Sequence, residues 1–261
     1  MKKFICLFIV LLCCCGCGKN DSVVVNSTDE FAVLDNKCKG WGYRRNKPRP
    51  EFTKEQISEM GKYGCIYMDN EETKNIYLTF DEGYENGYTS LILDVLREKG
   101  VSAAFFVTAP YVKNEPELIR RMAREGHIIG NHTVNHPSVP SLVTEEAFHN
   151  ELTELDRLFY NACKKRCKYF RPPKGEYSTR SLAKVSNMGY INTFWSLAYV
   201  DWDNKITAQK AKECVLGSLH NGAVILMHAV SKGNADALGE IIDEARSMGY
   251  EFKSLDEYGK G

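Results

Sequence analysis

Short apolar runs and longer amphipathic stretches take turns along the chain from residue 76 onward. The runs at 76–80 (IYLTF), 103–107, 127–130, 169–170, 191–195, 223–227 and 252–255 predict strands. The stretches at 87–99, 115–125, 144–165, 178–188, 207–219 and 234–248 carry apolar residues at helical spacing and predict helices. Regular strand–helix alternation implies parallel strands joined by right-handed crossovers. About seven such units favour a small (β/α) barrel, closed or incomplete, over an open doubly wound sheet. The expected fold class is therefore α/β.

The segment before residue 76 has a different pattern. Lys2 and Lys3 precede an apolar run over 4–15, too short to span a bilayer comfortably and of the form of an export signal. Gly16-Cys17, followed by polar residues, has the form of a bacterial lipoprotein cleavage site with Cys17 lipidated, although Cys14 stands where such sites usually carry leucine. The expected organisation is a lipoprotein-type signal over 1–17, a polar tether over 18–37, an irregular wrap over 38–75 containing Trp41-Gly42-Tyr43 and Pro48, and a catalytic domain over 76–258. Such a chain is expected outside the cell, on the outer face of a bacterial membrane.

Composition narrows the partners. The 261 residues contain 34 Lys+Arg and 34 Asp+Glu, so nothing in the charge favours nucleic acid, and no motif points to a nucleotide cofactor. Five of the ten cysteines fall within residues 1–17. The other five, Cys38, Cys65, Cys163, Cys167 and Cys214, do not form a disulfide framework. Cys163 and Cys167 share a helical face, where a bridge is conceivable and free thiols are the blander reading.

Candidate chemistry sits at the predicted strand ends, where β/α barrels build their sites. Asp81 and Glu82 follow IYLTF, His132 and His136 follow HIIG, Arg171 follows Phe170, Asp201 and Trp202 follow INTFWSLAYV, and His228 follows AVILM. On a helical turn the two imidazoles of NHTVNH would face one way and could share a divalent metal. With a carboxylate they would complete a three-ligand site open to water and substrate. One carboxylate would bind metal and its neighbour act as base. Arg171, on the rigid RPPKG turn, could keep that base ionised. His228 could protonate a leaving amine. His127, His149 and His220 are read as bystanders.

TFDEGY, HTVNH, RPPKG, the DW pair and ILMH, in this order, resemble the five motifs of the polysaccharide deacetylases, carbohydrate esterase family 4, over about residues 76–255. The resemblance implies a distorted (β/α) barrel and a metal-dependent amide hydrolase that removes N-acetyl groups from a sugar polymer. Asp81 would be the general base, with Glu82, His132 and His136 as ligands of a divalent metal, zinc first and cobalt or manganese as alternatives. Arg171 would support the base and His228 act as general acid. The backbone N–H near Lys174 would hold the oxyanion, with Tyr84 and Trp202 at the substrate. WGYRRN, FRPPKGEYS, WSLAYVDW and ILMHAVSKGNADAL are similar to the branch that makes muramic δ-lactam in spore cortex. That similarity implies peptidoglycan stripped of peptide as substrate, at its N-acetylmuramic acid; the lipoprotein-type signal adds the membrane as a second partner through a lipid anchor. Alternatives are a deacetylase of N-acetylglucosamine in peptidoglycan or a chitin-like polymer, and a decayed wall-binding protein. Two departures stand out: Glu82 where the family has Asp and the branch often Asn, and Ala198 where the family usually has a further Asp three residues before Asp201, the residue whose carried-over catalytic role this departure touches.

Overall fold

The computed structural model describes residues 31–45, 49–202 and 205–260. The expected signal, Cys17, the tether up to residue 30 and Pro48 lie outside the described residues.

Six strand–helix units build the domain: β2 (Asn75–Glu82) with α2 (Thr89–Lys99), β3 (Ala104–Val107) with α3 (Ala109–Asn114) and α4 (Pro116–Arg124), β4 (Ile128–Asn131) with α5 (Glu145–Cys163), β5 (Tyr169–Phe170) with α6 (Thr179–Asn187), β7 (Ile191–Asn192) with α7 (Ala208–Leu216), and β8 (Val224–His228) with α8 (Lys232–Ser247). The strands lie in the order β7-β5-β4-β3-β2-β8, all parallel, and the last strand, β9 (Glu251–Phe252), pairs with the start of β2. Beyond β7 the chain leaves regular strand geometry. A parallel bridge between Leu197 and Ile225 nonetheless joins it to β8, so the sheet curls nearly shut. This is the expected distorted barrel, with its seam at residues 193–197.

Strand alternation sorts the apolar residues into two cores. Leu78, Phe80, Phe105, Val107, Ile225 and Met227 pack outward under the helices. Tyr77, Ala104, Phe106, Tyr169 and Val224 fill the barrel interior. At Gly130 on β4 a side chain is sterically excluded, because an added Cβ would lie 2.5 Å from the Phe106 ring.

The stretch over 38–75 is more ordered than the expected irregular wrap. A nine-residue helix, α1 (Lys54–Lys62), starts at a capping box in which Thr53 and Gln56 each accept the other's backbone N–H. β1 (Lys39–Gly40) pairs antiparallel with β6 (Glu176–Tyr177). Between them Trp41 stacks near Phe194 and Phe52 and donates its indole N–H to the Trp195 carbonyl at 2.8 Å. Helical periodicity over nine residues is a weak signal beside the neighbouring prolines, and the cap becomes decisive once Met60 has a core to enter. Among the described residues no helix is long and apolar enough to cross a membrane, and Cys38, Cys65, Cys163, Cys167 and Cys214 are all free thiols.

Candidate active site

Parallel register puts the reacting groups side by side. Asp81 is level with Phe106 on β3 and His228 on β8. The ladder continues past β4 and β5, as the Arg171 N–H donates to the Asn131 carbonyl and the His132 N–H to the Val107 carbonyl. Asp81, His132, His136, Lys174, Trp202 and His228 line one cleft of about 750 Å³, with apolar walls that include Trp195 and Leu226.

Asp81 accepts a hydrogen bond from Arg171 Nη1 at 2.7 Å, and its second oxygen lies 3.6 Å from His132 Nε2. Burial alone would raise this carboxyl, but Arg171, with His132 and His228 behind it, holds it below the ordinary carboxylate value. Arg171 is wholly buried. The Thr193 carbonyl accepts from its Nε and the Phe194 carbonyl from its Nη2, and its guanidinium lies 4.1 Å from the Phe106 ring centroid. It is a structural cation built around Asp81, not a surface arginine.

The histidine pair meets through a turn, not the helical turn expected from its spacing. Thr133 and His136 have φ of 69° and 57°, left-handed values that side chains other than glycine seldom adopt. Polar anchors hold the turn: Thr133 Oγ1 accepts the His136 N–H, Asn131 Oδ1 accepts the Thr133 N–H, and the Glu151 carboxylate accepts those of Val134 and Asn135. The imidazole centroids end 4.8 Å apart. His132 Nδ1 lies 2.8 Å from the Arg171 carbonyl, which can only accept, so Nδ1 carries the proton and Nε2 turns a lone pair to the cleft. Burial lowers His132 to about 4 and also lowers His136, so both rings are neutral donors near pH 7. That chemistry fits a divalent ion.

Glu82 does not join them. It succeeds Asp81 on a strand, so its side chain falls on the outward face with Leu78 and Phe80. It is wholly buried, neither carboxylate oxygen has a hydrogen-bond partner, and burial first, then Glu85, Asp81 and Asp201, raise its pKa well above the usual value. Among the described residues no three His, Cys, Asp or Glu side chains gather as a metal site. The expected three-ligand set is thus reduced to His132 and His136, because β-strand period two separates what sequence adjacency suggested.

Across the cleft, Asp201 holds His228. Its oxygens accept His228 Nδ1–H and the His228 backbone N–H, each at 2.7 Å, and Asn234 Nδ2–H, also at 2.7 Å. Asn234 in turn accepts the Tyr199 hydroxyl proton at 2.6 Å. Burial alone would lower His228; the hydrogen bond and charge of Asp201 outweigh it and raise the imidazole above its ordinary pKa. Tyr199 and Asn234 escaped the sequence reading as site residues. Both stand inside quoted motifs, WSLAYVDW and SKGNADAL, and a Ser-x-x-Asn helix start was the available signal. Tyr84 and Trp202 are more than half exposed, and the Trp202 ring lies 5.5 Å edge-on to His228. Lys174 occupies the left-handed region, φ 59°, on the RPPKG turn. His127, His149 and His220 are outside the cleft: His127 accepts the Ala103 N–H, His220 pairs with Ser196, and His149 contacts Thr153 on α5.

The family model for polysaccharide deacetylase matches residues 69–192. The chain is 41% identical to the Bacillus subtilis peptidoglycan-N-acetylmuramic acid deacetylase PdaA over 86% of this chain and 87% of that protein. The solved structure of that PdaA superposes with a TM-score of 0.83, covering 98% of the solved chain at 40% identity. A family 4 carbohydrate esterase from Bacillus anthracis gives 0.75 at 43% identity, over 87% of this chain and 99% of that one. A Bacillus cereus peptidoglycan-N-acetylglucosamine deacetylase is 31% identical over 76% of this chain and 73% of its own length. An arginine-held aspartate beside two neutral imidazoles, opposite an aspartate-held histidine, in a curled parallel barrel that matches these proteins nearly end to end, makes this chain a member of the polysaccharide deacetylase family.

Proposed function

We propose that this deacetylase removes the acetyl group from N-acetylmuramic acid residues of peptidoglycan whose peptide has been stripped, the step that precedes muramic δ-lactam in spore cortex. The observation that carries the chemistry is the facing pair in one cleft, Asp81 held by Arg171 and His228 held by Asp201. The choice of sugar is supported by the extended similarity to the B. subtilis muramic enzyme.

Amide hydrolysis needs a base to take a proton from water and an acid to give one to the departing nitrogen. Asp81 is ionised and directs its free oxygen into the cleft. It accepts the proton of water as that water attacks the acetyl carbon. The raised His228 is protonated over more of the neutral range than a free imidazole, with Nδ1–H committed to Asp201 and Nε2 open to the cleft. It donates to the amine as the C–N bond breaks, leaving acetate and a free amino sugar. The Lys174 backbone N–H, on its strained turn, is the assigned partner of the carbonyl oxygen as negative charge builds there. The family generally depends on a divalent metal. His132 and His136 would hold such an ion, zinc by the chemistry of two imidazoles. Its contribution when bound is Lewis acidity toward the acetyl carbonyl. Export and a lipid on Cys17 complete the proposal, supported by the basic-then-apolar N-terminus and Gly16-Cys17.

The test is product analysis after treating peptide-stripped cortex glycan with the purified protein. Loss of one acetyl per muramic residue is expected, abolished by chelation and by His132→Ala. Glu82→Gln should retain metal as measured by elemental analysis; loss of metal in that variant would return Glu82 to the ligand set. Acetyl loss from glucosamine alone would favour the second reading, for which the B. cereus relative speaks.

A further inference from the structure

The cleft holds a cation that the deacetylation chemistry leaves unused. Lys174 is exposed at the cleft wall, and its ammonium makes no hydrogen bond or ion pair with any described residue. It is the only Lys or Arg among the described lining residues, because Arg171 is buried behind the surface and committed to Asp81. The backbone beneath it is firmly set. Pro172 and Pro173 restrict the approach, Lys174 itself takes φ 59° and ψ 6°, and Gly175 follows at φ 66°. A Cβ on Gly175 would come within 2.9 Å of the Trp195 ring and 3.0 Å of Trp41 Cβ. The lysine therefore projects from a turn braced on two tryptophans.

An unpaired ammonium beside an acetamide-binding centre calls for an anion on the substrate close to the acetamide. In muramic acid the lactyl ether is on O3, the ring position next to the nitrogen that carries the acetyl. Once the peptide is removed, that lactyl group ends in a free carboxylate. A peptide-bearing residue has a neutral amide at the same place, and glucosamine has a hydroxyl. We propose that the Lys174 side chain binds the free lactyl carboxylate and so selects peptide-free muramic residues. This rests on the muramic reading above and deepens it. The role belongs to the side chain, separate from the backbone N–H of the same residue, and a charge-assisted hydrogen bond of lysine to a carboxylate supplies the discrimination.

The experiment compares acetate release from two glycans: peptide-free cortex strands, and the same strands with lactyl carboxylates converted to methylamides. The wild-type protein should show a KM roughly tenfold or more higher on the methylamide glycan. Lys174→Met should show that higher KM on both glycans, and Lys174→Arg should restore the preference for the acid. Restoration by arginine separates a charge contact from a collapsed turn. The proposal is overturned if Lys174→Met discriminates as the wild type does, or if the effect falls on kcat with KM unchanged. Equal wild-type activity on both glycans would remove the lysine contact while leaving the muramic reading intact. If the wild-type protein released acetate from neither, the muramic reading itself would fall, and this proposal with it.

Discussion

Two carboxylates, Asp81 on the cleft wall and Asp201 buried behind His228, suit opposite roles in the proposed hydrolysis, base and support of the acid, and their partners decide which. Asp81 faces a cation with no proton to give, so its charge is stabilised and its free oxygen can accept. Asp201 faces an imidazole, so its charge is used to keep a proton on His228. The sign of the pH dependence follows. His228 must be protonated to donate, so activity falls as pH rises through its pKa, which Asp201 holds above the usual histidine value. Asp201→Asn removes that support and leaves burial, which lowers the imidazole. The alkaline limb of kcat should move to lower pH and kcat should fall by up to about 100-fold. A pH–rate profile of the variant checks this; an unmoved alkaline limb would mean that another group is the acid. At this scale the motifs name side chains that the structure does bring together, Asp81 with Arg171 and His132, and His228 with Asp201, and they misjudge one direction. Glu82 and Asp81 are neighbours in the chain and lie on opposite faces of β2, and only pairing with β3 and β8 fixes which face each takes.

At the scale of elements, the site depends on how β4 and β5 stand against the barrel interior. Gly130 lets the Phe106 ring lie flat across β4, and the same ring supports the Arg171 guanidinium. Gly130→Ala puts a methyl group where the ring now lies. The expected cost is about 1–3 kcal/mol, as for other overpacked core sites, measured by denaturant unfolding. A second effect should accompany it: Arg171 displaced from Asp81, and kcat reduced more than KM. If stability falls and kcat does not, the ring is a filler and not a support. The predicted elements match those observed closely wherever a helix had an amphipathic face and a strand an apolar run, as in β2, α2, β3, α5 and α8. The prediction is poorer at 191–195. Only Ile191–Asn192 is regular strand, because the following residues close the barrel: the Phe194 N–H donates to the Ile66 carbonyl, and those of Ser196 and Leu197 to the Val224 carbonyl. No local pattern encodes a seam between two distant strands.

For the whole molecule, the N-terminal strap is part of the active-site architecture. Trp41 bridges the strap to the residues behind the cleft, Phe194, Trp195 and the Gly175 turn. Trp41→Ala should cost about 3 kcal/mol, typical of a buried tryptophan truncation, read as a lower denaturation midpoint. Because the Lys174 turn loses its brace, KM for glycan should rise as well; an unchanged KM would confine the strap to stability. Barrel class, strand ends and the gathering of Asp81, His132, His136, Arg171 and His228 at one end of the barrel were legible in the sequence. Alternation sets parallel topology, and parallel topology sends every strand's C-terminal residue to one face. The tertiary structure alone decided the rest. It turned Glu82 away from the histidines and bent those histidines together through left-handed residues. It set Tyr199 and Asn234 behind Asp201, and it left the Lys174 ammonium without a partner among the described residues. Each of these depends on contacts between segments far apart in the chain, and such contacts form only after the barrel closes.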